Sequence, residues 1–408
     1  MTQKIQQLFG VFFILILVQE VKSQEILYYC SNSSGTFQVH KKDLGTGIID
    51  TITSDLTYNY WWVEPSPDNT KLLMMRSPVG TGIDNQFDYD TCQMVKSDIN
   101  GENSTVIVDY NQNGWTAFGN PHWHPSGNRI LMLAQPTNEF YIFTIDANGN
   151  NQQQLTSQYS LDPNWSSSGD KIVFIGLNNT PTPPASIDDF EVFISNYNYI
   201  TNTISNKRQL TNDTFRDHDP CFSPNDSLIA FSSAETINLS DANLTIIDPL
   251  GNNRVDIVSD NTTNGGPVNW GSNNKIYYHN VNFNVPPYTP FTVKEYDFGL
   301  NINIDIFPSI TEGYISPYYV NDNSLGIEDL RTMSRLIIYP NPATTTLTLQ
   351  TPKNLINKSV QIYNTFGQLV KSAKLSQLNT LNIESFPSGT YFLKLNNQAQ
   401  HYATFIKE

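Results

Sequence analysis

His122 and His124 flank Trp123 at a two-residue interval, so a strand through them aims both imidazoles at one face, as a pair of metal ligands would be presented. No third ligand accompanies them in the sequence. His218 lies in Arg216-Asp-His-Asp219, and both Asp162 and Asp219 stand directly before a proline. Asp162, Asp217 and Asp219 are of the type that serve as acid and base in glycoside cleavage, which needs two carboxyl groups about 5 to 9.5 Å apart on one cavity. Asp146-Ala-Asn-Gly-Asn150 begins like a calcium loop but lacks the glutamate at the twelfth position. No Gly-x-Ser-x-Gly elbow, Walker loop or dinucleotide fingerprint occurs. The expectation is therefore a chain with no assigned catalytic residue, metal or cofactor, more a binder than an enzyme.

The elements that must position these residues follow from an internal repeat. Pro121-His-Trp-His-Pro-Ser-Gly-Asn-Arg-Ile130, Pro163-Asn-Trp-Ser-Ser-Ser-Gly-Asp-Lys-Ile172 and Pro220-Cys-Phe-Ser-Pro-Asn-Asp-Ser-Leu-Ile229 are copies of one segment. Weaker copies are Val63–Leu72, Pro267–Ile276 and Pro317–Gly326. Their ninth residues lie 42 to 58 positions apart, the length of a propeller blade. Each copy reads as a hairpin: an aromatic anchor, a tight turn, then a buried strand such as Ile172-Val-Phe-Ile175. A second turn recurs at Asp98–Gly101, Asp146–Gly149 and Asp248–Gly251, and the pairs Leu155-Thr156 and Leu210-Thr211 are expected to begin an outer strand. Two hairpins make a four-stranded blade, and blades with two apolar faces must stack around an axis. The segments 36–41 and 48–53 are expected to join the last copy and clasp the ring, leaving no open edge.

These copies resemble the TolB-like propeller repeats, whose usual pattern is Pro-x-Trp-Ser-Pro-Asp-Gly-x-Lys-Ile. In such a ring the residues before the repeat's proline sit near the mouth of the central channel. The resemblance thereby implies a binding mouth built from Asn120, His122, Asp162, Asp217, His218 and Asp219.

From Leu336 the pattern changes to short alternating strands separated by turns, as in a small β-sandwich. Pro340 and Pro342 suit an edge segment, and Gly367 and Gly389 fit hairpin bends. Tyr339-Pro340-Asn341-Pro342, Tyr363-Asn-Thr-Phe-Gly367 and Pro387-Ser-Gly389-Thr-Tyr391-Phe392 closely resemble the C-terminal sorting domain of the Por, or type IX, secretion system of Bacteroidota. The resemblance implies the type IX machinery as a partner and a secreted or outer-surface product that passes through the periplasm.

Residues 1–23 have the parts of a signal peptide: Lys4, an apolar run from Leu8 to Val18, and Val21 and Ser23 at the −3 and −1 positions. No later stretch approaches the ~20 apolar residues of a membrane helix. The net charge of −15 leaves no basic stripe for nucleic acid. Cys30, Cys92 and Cys221 read as small apolar strand residues, with a Cys30–Cys92 bridge as the alternative. The expected architecture is all-β: signal peptide 1–23, a six-bladed β-propeller at 24–330 and a sorting β-sandwich at 336–408. The expected function is non-catalytic binding or scaffolding of an extracellular protein or glycan. The alternative is an extracellular propeller hydrolase or lyase acting on polysaccharide.

Overall fold

The computed structural model describes residues 24–81, 88–177, 190–234, 242–260, 262–281, 291–307, 312–322, 337–350, 359–364, 369–374, 380–396 and 401–408. The expected signal peptide, Gly367, the proline-rich segments 180–185 and 285–290 and the stretch that would join the two domains lie outside these residues. The chain divides into two compact units, Lys22–Asn323 and one that includes Ser324–Glu408.

Among the described residues the larger unit holds six four-stranded antiparallel sheets. The innermost strands of the first five are Tyr58–Pro65, Ala117–Trp123, Ser160–Trp165, Arg216–Phe222 and Thr263–Trp270, and each is followed in order by its second, third and outer strand. The sixth sheet is built from both ends of the unit. Its innermost strand, Tyr314–Asp322, pairs with Gln24–Ser31, which pairs with Gln38–Asp43 and through it Ile49–Thr51. The sixth repeat copy thus takes its hairpin partner from the start of the chain.

The repeat explains the local geometry. Its aromatic closes the innermost strand: Trp123, Trp165, Phe222 and Trp270 pair with Ile130, Ile172, Ile229 and Ile276, and all eight are buried. The second turns form as expected. Gly101, Gly149 and Gly251 all have φ near 86°, and a Cβ on any of them would run into the carbonyl oxygen of Ile52, Ile107 or Leu210, respectively. The Leu-Thr pairs end the outer strand instead of beginning it. Leu155 and Leu210 donate their N–H to Ile142 O and Val192 O, both at 2.8 Å, and the hydroxyls of Thr156 and Thr211 then accept the N–H of Ile142 and Val192. A threonine side chain there replaces the next ladder carbonyl.

Each apolar cluster of this unit takes residues from two successive sheets. Trp62, Met94, Trp123 and Phe143, for example, join the first and second, and Val173, Ile194, Phe222 and Phe231 the third and fourth. Another cluster, including Tyr277, Val293, Leu27 and Tyr29, joins the fifth sheet to the sixth, while Tyr28, Val39, Val63 and Met74 join the sixth to the first. Each innermost strand also touches the next, and Tyr314–Asp322 touches Tyr58–Pro65.

The smaller unit has a three-stranded sheet of Ile337–Tyr339, Thr346–Gln350 and Thr380–Asn382. Beside it in sequence is a four-stranded sheet of Leu369–Lys374, Ser359–Asn364, Gly389–Asn396 and His401–Lys407. One buried cluster, with Leu347, Leu349, Val360, Ile362, Tyr391 and Phe405, draws on both. Gly389 opens a strand paired with Lys407 and is not a hairpin bend; the turn falls earlier, at Glu384 and Ser385. Tyr391 packs on Phe386 and Phe405 and donates its hydroxyl to Pro387 O at 2.8 Å. Tyr339-Pro340-Asn341-Pro342 carries two cis X-Pro bonds, and Asn341 Oδ1 accepts the N–H of Ile406 at 2.9 Å.

Candidate functional site

Every innermost strand carries an irregularity part-way along its pairing, between Gly119 and His122, Leu161 and Asn164, His218 and Cys221, and equivalently in the other three. Extra residues in one strand bend it and re-aim its side chains. Asn120, Asp162, Asp219 and Ser316 occupy this position, each directly before a proline and each with φ between 46° and 52°. Positive φ is sparsely populated by residues other than glycine, and Asn and Asp tolerate it best.

Three of the four converge on one cavity of about 580 Å³. Its polar lining includes Asp90, Asn120, Asp162, His218, Asp219 and His279, and its aromatic lining is Trp61, Trp62, Tyr89 and Phe140. Asp162 organises the polar side. Its Oδ1 accepts the Asn120 amide at 2.7 Å, and its Oδ2 accepts from His218 Nδ1 at 3.3 Å and the Asp219 N–H at 3.4 Å. Burial, and then the neighbouring Asp162 charge, push the Asp219 carboxyl up to about 8, with His218 pulling the other way. His218 is held above the usual histidine value because the Asp162 carboxylate outweighs the cost of its burial. Burial pushes His279 down to about 3, and its Nε2 accepts the Ser316 N–H. Ser316 in turn donates its hydroxyl to Trp61 O.

The structure thus brings Asn120, Asp162, His218 and Asp219 together, but not Asp217 or His122. Asp217 is fully buried inside the fourth sheet, where its oxygens accept the hydroxyls of Ser233 at 2.6 Å and Thr211 at 2.7 Å. Neighbours in a strand face opposite ways, so flanking His218 directs Asp217 into the core. His122 lines a second cavity of about 280 Å³, to which every innermost strand contributes, through Glu64, His122, Asn164, Cys221, Asn269 and Tyr318. Trp123, Trp165, Phe222 and Trp270 line it as second contributions from their strands, and Glu64 accepts from His122 Nδ1 at 2.7 Å and from the Trp123 N–H at 2.9 Å. His124 does not share a face with His122, because its strand ends at Trp123. It contacts the Ser126 hydroxyl at 2.9 Å and Gly169 O at 3.2 Å. Cys30, Cys92 and Cys221 are free and buried. Asp146 accepts the N–H of Asn148 and Asn150 within its own turn, at 2.8 and 3.0 Å.

Sequence reasoning missed the aromatic wall, Gly266 and His279. Trp61-Trp62 directly precedes the first repeat copy and Gly266 precedes Pro267, so position in the repeat was the available signal.

Comparison with known proteins separates the two units. Residues 337–408 match the secretion system C-terminal sorting domain. Beta-agarase A of Zobellia galactanivorans is 40% identical over 63 residues, which are 15% of this chain and only 12% of that protein. TolB from Acinetobacter baumannii superposes with a TM-score of 0.56 at 13% identity, covering 73% of this chain and 67% of that one. A putative TolB from Agrobacterium tumefaciens gives 0.51 at 14% identity, covering 73% and 99%. At such identities the likeness is one of fold alone. Residues 337–408 are a secretion system C-terminal sorting domain, and the sheets that precede them have the fold of the TolB-like β-propellers.

Proposed function

We propose that this chain is a secreted or cell-surface binding protein: a closed six-bladed ring at 24–330 with its ligand site at the channel mouth, shipped by a β-sandwich at 336–408. The sorting domain implies handling by the type IX machinery, and the segment 1–23 supplies the earlier step across the inner membrane. The ring reading is supported by the apolar clusters that succeed one another from sheet to sheet and by the sixth sheet's use of both ends of the larger unit.

The observation that carries the binding reading is the set of positive-φ residues before proline, three of which line a single cavity. Strain of about 1–3 kcal/mol per residue persists only where the surroundings over-determine it, and it clusters at ligand sites. Pairing that cavity's carboxylates with an aromatic wall fits recognition.

A polysaccharide hydrolase or lyase is the second reading, favoured by an Asp219 that keeps its proton near neutral pH beside Asp162. Both Asp162 oxygens already accept hydrogen bonds from the protein, however, and Asp217 is sequestered. Neither Asp162 nor Asp217 therefore stands free to serve as the base beside Asp219.

The test is a glycan-array and extracellular-protein screen of the full chain beside Trp61→Ala. A specific ligand should be retained by the native chain and weakened at least about tenfold by the variant, a loss of ~1.4 kcal/mol. Hits indifferent to Trp61 would overturn the cavity assignment, and product release from a bound glycan would favour the enzyme.

A further inference from the structure

Resting on the binding reading above, we propose that the cavity takes an organic ammonium group, seated on Asp219 and bounded by the rings of Trp61, Trp62 and Phe140. The lining carries three carboxyl groups, Asp90, Asp162 and Asp219, and no lysine or arginine. Of its two imidazoles only His218 is suited to carry charge, since His279 is held neutral. An anion entering this cavity meets repulsion.

Asp162 is internally satisfied by Asn120, His218 and the Asp219 N–H. Asp219 is not: among the described residues its carboxyl accepts no hydrogen bond, and its electrostatic neighbours are Asp162, His218 and the Tyr89 hydroxyl. Asp219 is half-buried at the cavity wall, and a cation with N–H donors pairs with a carboxyl that no donor among the described residues reaches. The backbone opposite makes room for it. A Cβ on Gly266 would lie 1.9 Å from Asp219 Oδ2, so any side chain there would displace the carboxyl. Beside it His218 Nε2 is buried with no partner while Nδ1 engages Asp162, a second polar atom left open at the same wall.

The aromatic side completes a cation site, because indole and phenyl faces attract an ammonium, more strongly once it is desolvated. Trp61 is held for this by edge contacts to Phe37 and Phe291, with ring centroids at 5.8 and 6.5 Å, and Phe140 by an edge contact to Tyr159 at 6.4 Å. Such fixed rings lose little freedom on binding.

The ammonium belongs either to a free amine or to a lysine side chain, and calorimetric titration of the full chain separates them. The probes are putrescine, the peptide acetyl-Gly-Lys-Gly-amide, the same peptide acetylated on its lysine nitrogen, and galacturonate. Saturable binding is expected for putrescine or the unmodified peptide, with at least about tenfold weakening by lysine acetylation. Asp219→Asn, an isosteric change, should weaken the same probe by at least about tenfold, and Phe140→Ala is the independent second variant.

Equal binding of the acetylated and unmodified peptides, or indifference to both variants, overturns the proposal. So does the absence of saturation by either ammonium probe up to about 10 mM. Galacturonate binding that is lost in Phe140→Ala would leave the cavity a binding site and refute only its cationic specificity.

Discussion

Asp217 and Asp219 lie two residues apart, and the irregularity after His218 turns one into the fourth sheet and the other into the cavity, while burial raises the carboxyl of each. Asp217 is pushed up to about 7 despite the Ser233 and Thr211 hydroxyls, and Glu191 to about 8. A carboxyl whose folded value exceeds its unfolded value near 4 adds stability below that value and loses it as pH rises through the folded one. The native chain should therefore lose thermal stability between pH 5 and 9. Asp217→Asn should match it at pH 5 and melt higher at pH 9, because the amide keeps an acceptor for the hydroxyls but cannot ionise. A variant that melts lower at pH 9 would show that Asp217 is stabilised as a carboxylate. The sequence marked Asp162, Asp219 and Asn120 as neighbours because they share a repeat position. It did not reveal their backbone, since a residue before proline is ordinarily extended, and the inner strand overrides that preference.

At the scale of elements, turn chemistry was the most legible feature. Asp-x-Asn-Gly or Asp-x-x-Gly marks the second hairpin in three sheets, and glycine is required twice over, by positive φ and by the backbone of the preceding sheet. Gly149→Ala should cost more than about 1 kcal/mol, because its Cβ would lie 1.8 Å from Ile107 O, whereas Gly114→Ala, with the same sign of φ and open space around it, should cost less. Equal losses in denaturant unfolding would mean that the close approach is immaterial. The direction of the Leu-Thr pairs was not legible. Threonine favours strands, and only the geometry shows its hydroxyl standing in for a ladder carbonyl at a strand's end.

At the scale of the molecule, periodicity announced the sheets, and the three ordered blocks near the C terminus announced the sorting domain. The clasp was legible only in part. Segments near 36–41 and 48–53 were expected to serve it, and they correspond to the third and outer strands of the sixth sheet. The strand that meets the last innermost one is Gln24–Ser31, whose Ile26–Ser31 stretch is buried without alternation and so lacks the period-two signature of a half-exposed strand. A closed ring depends on that pairing, which joins the two ends of the larger unit in one sheet.

Gln24 and Asp322 are direct partners across it, and opposed Cβ atoms in an antiparallel pair lie within reach of a disulfide. The double variant Gln24→Cys, Asp322→Cys in the full chain should cross-link under mild oxidation while folded. Peptide mapping should join positions 24 and 322, and the larger unit should then unfold in one transition at a higher temperature. A cross-link that forms only in denaturant, or one that leaves the unfolding temperature unchanged, would contradict a ring closed by its own first strand.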